Sequence, residues 1–229
     1  MFGLEYAMAA HLFLQASSDQ IACPTQKSAR VDVRWRSETI KYDNTKTTAD
    51  LNNRDIDSEN PYGVHVSTDV GGLMTGKMEY KSGIQVSSIR YPTAKVACFW
   101  IDKVVVDVVI DPTIQIASEH QKGTCEYDAI LEHEHKHVAI DRKVVTDYLE
   151  RLRMAAAMAV QKVGMVGPKP DSTSEEYKKK MSDYVSAQVK AVADKMYADR
   201  TARQKAFDNK DEYDRVSAKC AKKSDSDAQ

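Results

Sequence analysis

The chain of 229 residues lacks a surplus of either charge: 33 Lys and Arg stand against 34 Asp and Glu, a formal net charge of −1. A protein that neutralises a phosphate backbone needs a basic excess, so a nucleic-acid partner is not expected. Long apolar runs are missing too. None reaches the roughly 18 to 20 residues that cross a bilayer, so no mature segment is expected to span one. With 9 Gly and 6 Pro the chain is not low-complexity. Its four cysteines, Cys23, Cys98, Cys125 and Cys220, contain no CxxC pair, which argues against a zinc ribbon or a thioredoxin motif. What remains is an ordinary globular composition, 42% apolar. The length suits one domain, or a domain with a helical extension, and is enough to bury a core.

Near the start, the apolar stretch Ala7 to Leu14 precedes Ala16-Ser17-Ser18. This looks like the back half of a secretory signal, although Glu5 stands where a Lys or Arg would be expected; the alternative is an N-terminal helix. Residues 1–22 are therefore read as a signal or flexible N-terminal segment. An exported chain with four separated cysteines predicts two disulfides. Three pairings exist; Cys98–Cys125 with Cys23–Cys220 is favoured, tying a strand to the central helix and joining the two ends.

Residues 24 to about 118 read as strands and loops. Val31 to Arg36 alternates apolar and polar residues with the period of a half-buried strand. Further strands are expected over Leu73–Tyr80, Ile84–Tyr91, Val96–Ile101 and Val104–Ile110, the last ended by Asp111-Pro112, with a short one at Thr113–Ala117. After Gly123 the character changes. Glu126 to Lys162 holds no Gly or Pro and is rich in strong helix formers. Gly164, Gly167, Pro168 and Pro170 break that helix, and Ser172-Thr-Ser-Glu175 fits a capping box for a second one. This runs to about Asn209, where Asp208-Asn209 interrupts it before a short helix near Tyr213. The expected architecture is α+β: an N-terminal antiparallel β-sheet, a long motif-bearing helix, and a C-terminal helical hairpin. The expected parts are a catalytic α+β domain over 23–165, a helical region over 172–220 packed on it, and a disordered tail over 221–229.

Three of the six histidines fall within five residues, His133-Glu134-His135-Lys136-His137, which reads H-E-x-x-H. On a helix His133 and His137 lie about 40° and one turn apart, so both rings reach one metal ion. Glu134 sits on the flank of the same face, where it can take a proton from a metal-activated water. His135 points away and is not assigned. Ile130, Val144, Val145 and Leu152 share the stripe, so the triplet faces the interior, where titratable groups need partners. Neutral imidazoles suit Zn²⁺, the expected cofactor. Asp141 lies on the same face but about 9 Å along the axis from an ion between the two histidines. It is expected to orient the His137 ring as a hydrogen-bond acceptor rather than to ligate. The third ligand must come from elsewhere. In an antiparallel hairpin around residues 164–172, residues near 200 come level with His137, making Asp199 a candidate ligand and Tyr197 a candidate oxyanion donor. His65 and His120 are loop alternatives. The Gly-x-x-His continuation that marks metzincins is absent.

These residues give the chain a resemblance to a family of predicted secreted bacterial zinc-dependent proteases of the zincin type. It is carried by Cys98-Phe-Trp-Ile-Asp102, by Gly123 through the motif to Asp141, and more weakly by Tyr42-Asp-Asn and Phe207 to Cys220. The resemblance implies His133 and His137 as metal ligands, Glu134 as catalytic acid/base, strands before the motif helix, and a periplasmic or secreted location. The function expected is a zinc metallopeptidase acting on a peptide or protein, with Val104–Ile110 as a strand on which an extended substrate could pair. The competing reading is a non-catalytic metal-binding envelope module. A di-iron carboxylate bundle would need a second E-x-x-H helix, and residues 173 to 219 contain none. Oligomeric state is not legible.

Overall fold

The computed structural model describes residues 21–25, 28–54, 62 and 69–226. The signal-like stretch 1–20, His65 and residues 227–229 lie outside the described residues.

One strand organises the sheet. β4, Val96–Ile116, is 21 residues long and alternates strictly through its second half. Val104, Val106, Val108, Ile110, Ile114 and Ile116 are buried on one face. That is the period-2 pattern of a strand with one face covered. β3, Gly72–Tyr91, runs antiparallel along one entire edge of β4, from Gly72 opposite Ile116 to Tyr91 opposite Val96. Three short strands share the other edge end to end. β5, Val166–Pro170, pairs antiparallel with β4 near Val96. β1, Arg30–Ser37, and β2, Lys41–Asp43, pair parallel with it. The sheet is therefore mixed, not antiparallel as expected from the sequence. β1 and β2 run parallel to β4 because β3 stands between them in the chain: the chain enters β3 in the opposite direction and reverses again, through the turn at residues 92–95, into β4.

The expected strands over 73–80 and 84–91 fuse into β3, and those over 96–101, 104–110 and 113–117 fuse into β4. Pro112 does not end the strand. It lies where the shared edge is vacant, between Ser37 opposite Ile110 and Lys41 opposite Thr113, so its missing N–H deprives no partner. Because both edges of β4 are occupied, Val104–Ile110 cannot accept an added substrate strand. The outer edge of β3 is the alternative. On it the N–H of Tyr80 donates to the Tyr197 hydroxyl at 3.2 Å, which places Tyr197 in the middle of β3, far along the strand from the Gly72 end that Glu134 approaches.

Two long helices cover the apolar face. α1 (Thr48–Asn52) is a single turn before β3. α2, Cys125–Val163, is 39 residues long, and α3, Ser174–Phe207, returns along it. Val144, Val145, Leu152 and Ala156 of α2 interlock with Val185, Val189, Ala193 and Met196 of α3 over the valines of β4. The opposite face of the sheet carries exposed ion pairs such as Arg34–Asp107 and Lys41–Asp111. The α3 capping box does not form. A 3-10 turn over Asp171–Thr173 precedes the helix, and Thr173 at its N-cap makes no side-chain cap bond. α4, Lys210–Ser226, follows the break and continues into the segment expected to be disordered.

The disulfides are Cys23–Cys98 and Cys125–Cys220, not the favoured pairing. The reason is the length of β4. Cys98 is 18 residues from the Ile116 end that leads into α2, roughly 60 Å of extended strand, so Cys125 is out of its reach. Gly167 of β5 passes so close to the first bridge that a Cβ there would lie 2.7 Å from the Ala97 carbonyl oxygen and 3.1 Å from Cys23 Sγ. Leu152 is fully buried between sheet and α3. Leu152→Ala should therefore cost about 2 to 5 kcal/mol in a urea unfolding measurement, with the α4–α2 disulfide still intact.

Candidate metal centre

α2 begins at Cys125, with Thr124 capping it through a hydrogen bond from the Tyr127 N–H. The helix carries His133 and His137 on its buried stripe one turn apart, and their Nε2 atoms stand 3.1 Å from each other. The third member comes from the end of α3. Asp208 is the C-cap residue of that helix. Its Oδ1 lies 2.9 Å from His137 Nε2 and 3.3 Å from His133 Nε2. All three side chains are at most 10% exposed. Their ligand atoms fall within 4.8 Å of one another, and the group could hold a metal ion.

The outward nitrogens explain why the Nε2 atoms converge. His133 Nδ1 meets the Glu212 carboxylate at 3.3 Å. Arg215 above all, with Lys136 and His133, holds that carboxylate down at a pKa of about 2, so it is an acceptor and His133 Nδ1 must donate. Gln204 spends its amide nitrogen on the His137 carbonyl oxygen and on Asp141, so its Oε1 is what faces His137 Nδ1. Again the ring nitrogen must donate. Both imidazoles therefore present Nε2 lone pairs, and with Asp208 they bring three acceptors together in a buried space. Such a set requires a cation between its members. With no metal, a proton takes that role: burial opposes a charge on His137, but Asp208 and Glu134 outweigh it and its pKa rises. Two imidazoles and one carboxylate form a donor set that suits Zn²⁺, with fewer protein ligands than a closed four-ligand shell.

Phe207 packs the group from behind. Its ring stacks on His133 and meets His137 edge-on, both at 5.0 Å between centroids. Tyr213 of α4 lies edge-on to His133 at 5.7 Å. Burial, with the charges of Asp208 and Glu134, pushes its phenol up to about 12, so it stays protonated.

Glu134 stands outside the three-ligand group and is buried. Burial raises its pKa, and the charges of the two histidines and the N–H of Met74, which it accepts, only partly offset this. The start of β3 comes this close because residues 71 and 72 are glycines. A Cβ on Gly72 would sit 2.4 Å from Ile130 Cγ2 and 3.0 Å from Glu134 Oε1. Two cavities, of about 290 and 390 Å³, meet at this point, and both are lined by His133, Glu134 and Tyr213.

The other expected residues fall differently. Asp141 is buried as expected, but it does not accept from His137. It takes the Nε and Nη2 of Arg200 at 2.8 and 3.0 Å and the amide of Gln204 at 2.6 Å, so it reaches the ring only through Gln204. Asp199 pairs with Arg203 and is not a ligand. His120 lines the smaller cavity without joining the metal group. The helix hairpin is offset by one turn from the expectation. Asp141 faces Arg200, His137 faces Gln204 and His133 faces Asp208, because residues 166–170 are spent on β5 rather than on a tight loop. Asp208, Gln204, Glu212 and Tyr213 were not identified from the sequence. The visible signal was an Asp at a helix break, where a side chain can turn in a direction that a helical residue cannot.

Comparison of the chain with family models, curated proteins and solved structures returns no match.

Glu212 titrates near 4.5 when unpaired and at about 2 here. A depressed carboxylate stabilises above its unfolded value and loses that contribution as pH falls through the folded one. The stability advantage of the native chain over Glu212→Gln should be full at pH 6 and shrink between about pH 4.5 and 2, measured by chemical denaturation.

Proposed function

We propose that the protein is a zinc-dependent metallopeptidase, with His133, His137 and Asp208 holding the ion and Glu134 as general base and acid. The observation that carries this reading is the position of Glu134: beside the three-acceptor group, not part of it, and lining both cavities. A structural metal site has no use for a second buried carboxylate placed next to the ligands but outside their group. Bound zinc would supply Lewis acidity, lowering the pKa of a water and polarising a carbonyl. Glu134 takes the proton of the attacking water and delivers it to the leaving nitrogen. Its hydrogen bond from the Met74 N–H holds the carboxylate in place for both transfers. Tyr213, protonated and facing the same space, offers a hydrogen bond to the oxygen on which charge develops.

An extended peptide runs beside the outer edge of β3 and pairs beyond Met74, whose N–H Glu134 already holds, along the wall that Gly72 to Gly76 give the larger cavity. A periplasmic or secreted location belongs to the same proposal. It is supported by two disulfides, which persist in oxidising compartments, and by the finding that no helix among the described residues is long and apolar enough to cross a membrane.

The test is zinc content together with hydrolysis of a broad peptide library. Glu134→Gln should keep stoichiometric zinc and lose at least about 100-fold in rate, whereas Asp208→Ala should lose zinc. Undiminished hydrolysis by Glu134→Gln would refute the assignment. A closed shell of four protein ligands in X-ray absorption would favour the non-catalytic metal-binding module.

A further inference from the structure

The two cavities beside the motif share His133 and Glu134 and differ in the charges around them. The smaller is lined by Asp69 and Glu126 among the apolar side chains of Val70, Ala129, Ile130 and Val216. The larger is lined by Arg54 and Arg200, its carboxylates being Glu134 and Asp208 of the site itself. We infer that the cleft selects peptides that place a carboxylate next to the scissile bond, held by Arg200 and Arg54 in the larger cavity. This deepens the peptidase reading and rests on it.

Arg200 is held as a built recognition group. Asp141, 1% exposed, takes its Nε and Nη2 in a two-pronged pair, while the Arg200 side chain is 25% exposed. That leaves Nη1 as the guanidinium nitrogen with no partner among the described residues. A planar guanidinium clamped on one side presents its remaining N–H groups in a fixed direction. The clamp neutralises its charge, so Arg200 supplies direction. Arg54, at the end of the α1 turn on another wall of the same cavity, makes no ion pair among the described residues and supplies the net positive charge. A carboxylate entering the other cavity meets Asp69 and Glu126 and is repelled. Only one end of the cleft therefore accepts the anion.

The same Asp141 also holds Gln204, which orients His137. The anion-binding side chain and a proposed metal ligand thus hang on one buried carboxylate. The carboxylate recognised is either an Asp or Glu side chain or the carboxyl terminus of the peptide.

The experiment uses the full chain loaded with zinc, with metal content measured first. Calorimetry then compares pairs of peptide hydroxamates, which chelate zinc whether or not the protein turns over. In one pair the residue beside the chelating group is Asp or Asn, placed on either side in two series. In the other, a short peptide ends in a free acid or an amide. The carboxylate member of one pair should bind about tenfold tighter, the worth of one charge-assisted contact. The pair that responds names the source. In Arg54→Ala, whose side chain bears no ion pair among the described residues, and in Arg200→Lys, which still offers Asp141 a cation, that ratio should fall to about threefold or less. Equal binding within both pairs, or a ratio that survives in both variants, overturns the inference while leaving the metal site standing. A chain that takes up no zinc overturns the metal reading and this inference with it.

Discussion

Two imidazoles with their Nδ1 protons turned outward, and one carboxylate turned inward, put three lone-pair donors within a few ångströms of each other. His133 and His137 Nε2 stand 3.1 Å apart, and Asp208 Oδ1 is 2.9 Å from one of them. In a buried space that arrangement is repulsive unless a cation is shared among the three. Each histidine is committed to it by a partner: Glu212 for His133, Gln204 for His137. The tautomers follow from those partners. Glu212 is an ionised acceptor, and Gln204 has already spent its amide nitrogen elsewhere. The capacity to hold a metal ion and the local hydrogen-bond network are therefore one design, in which the residues behind the rings decide what the rings present.

The fold serves this convergence by joining distant pieces of chain. α2 is anchored on β4, whose valines line its buried stripe for most of its length. α3 returns along α2 and ends one residue short of Asp208, where the loss of helical geometry frees the carboxylate to turn toward the histidines. α4 then folds back over the start of α2, clamped by Cys125–Cys220 and by Glu132 with Arg215 and Lys219. That clamp carries Glu212 and Tyr213 into place. The glycines at 71 and 72 complete the enclosure from the sheet side, where a larger residue would collide with Ile130 and Glu134.

Much of this was legible locally. The helix beginning near Cys125, the burial of Val144, Val145 and Leu152 on the face of the histidines, and the break at Asp208-Asn209 follow from period and propensity, which act over a few residues. The errors share one cause: they concern how far an element runs and what lies beside it. Pro112 reads as a strand end because a proline usually lacks a partner to spare. Here the neighbouring edge is vacant at that position. Asp199 reads as level with His137 because a hairpin turn is assumed to be tight, yet the connection contributes β5 to the sheet. The favoured disulfides fail for the same reason, since a fused β4 carries Cys98 far from Cys125.

By itself, then, the order of residues determined which face of the motif helix is buried, that His133 and His137 share it with Glu134 on its flank, and that two long helices follow a strand-rich half. Those properties depend on 3.6-residue and 2-residue periods, which any short window contains. Tertiary structure alone decided that Asp208 joins the two histidines in a group that could hold a metal ion, that Asp141 reaches His137 through Gln204, that the sheet is mixed, and which cysteines meet. Each of those is a contact between segments tens of residues apart, and its existence depends on the summed lengths and packing of everything between them.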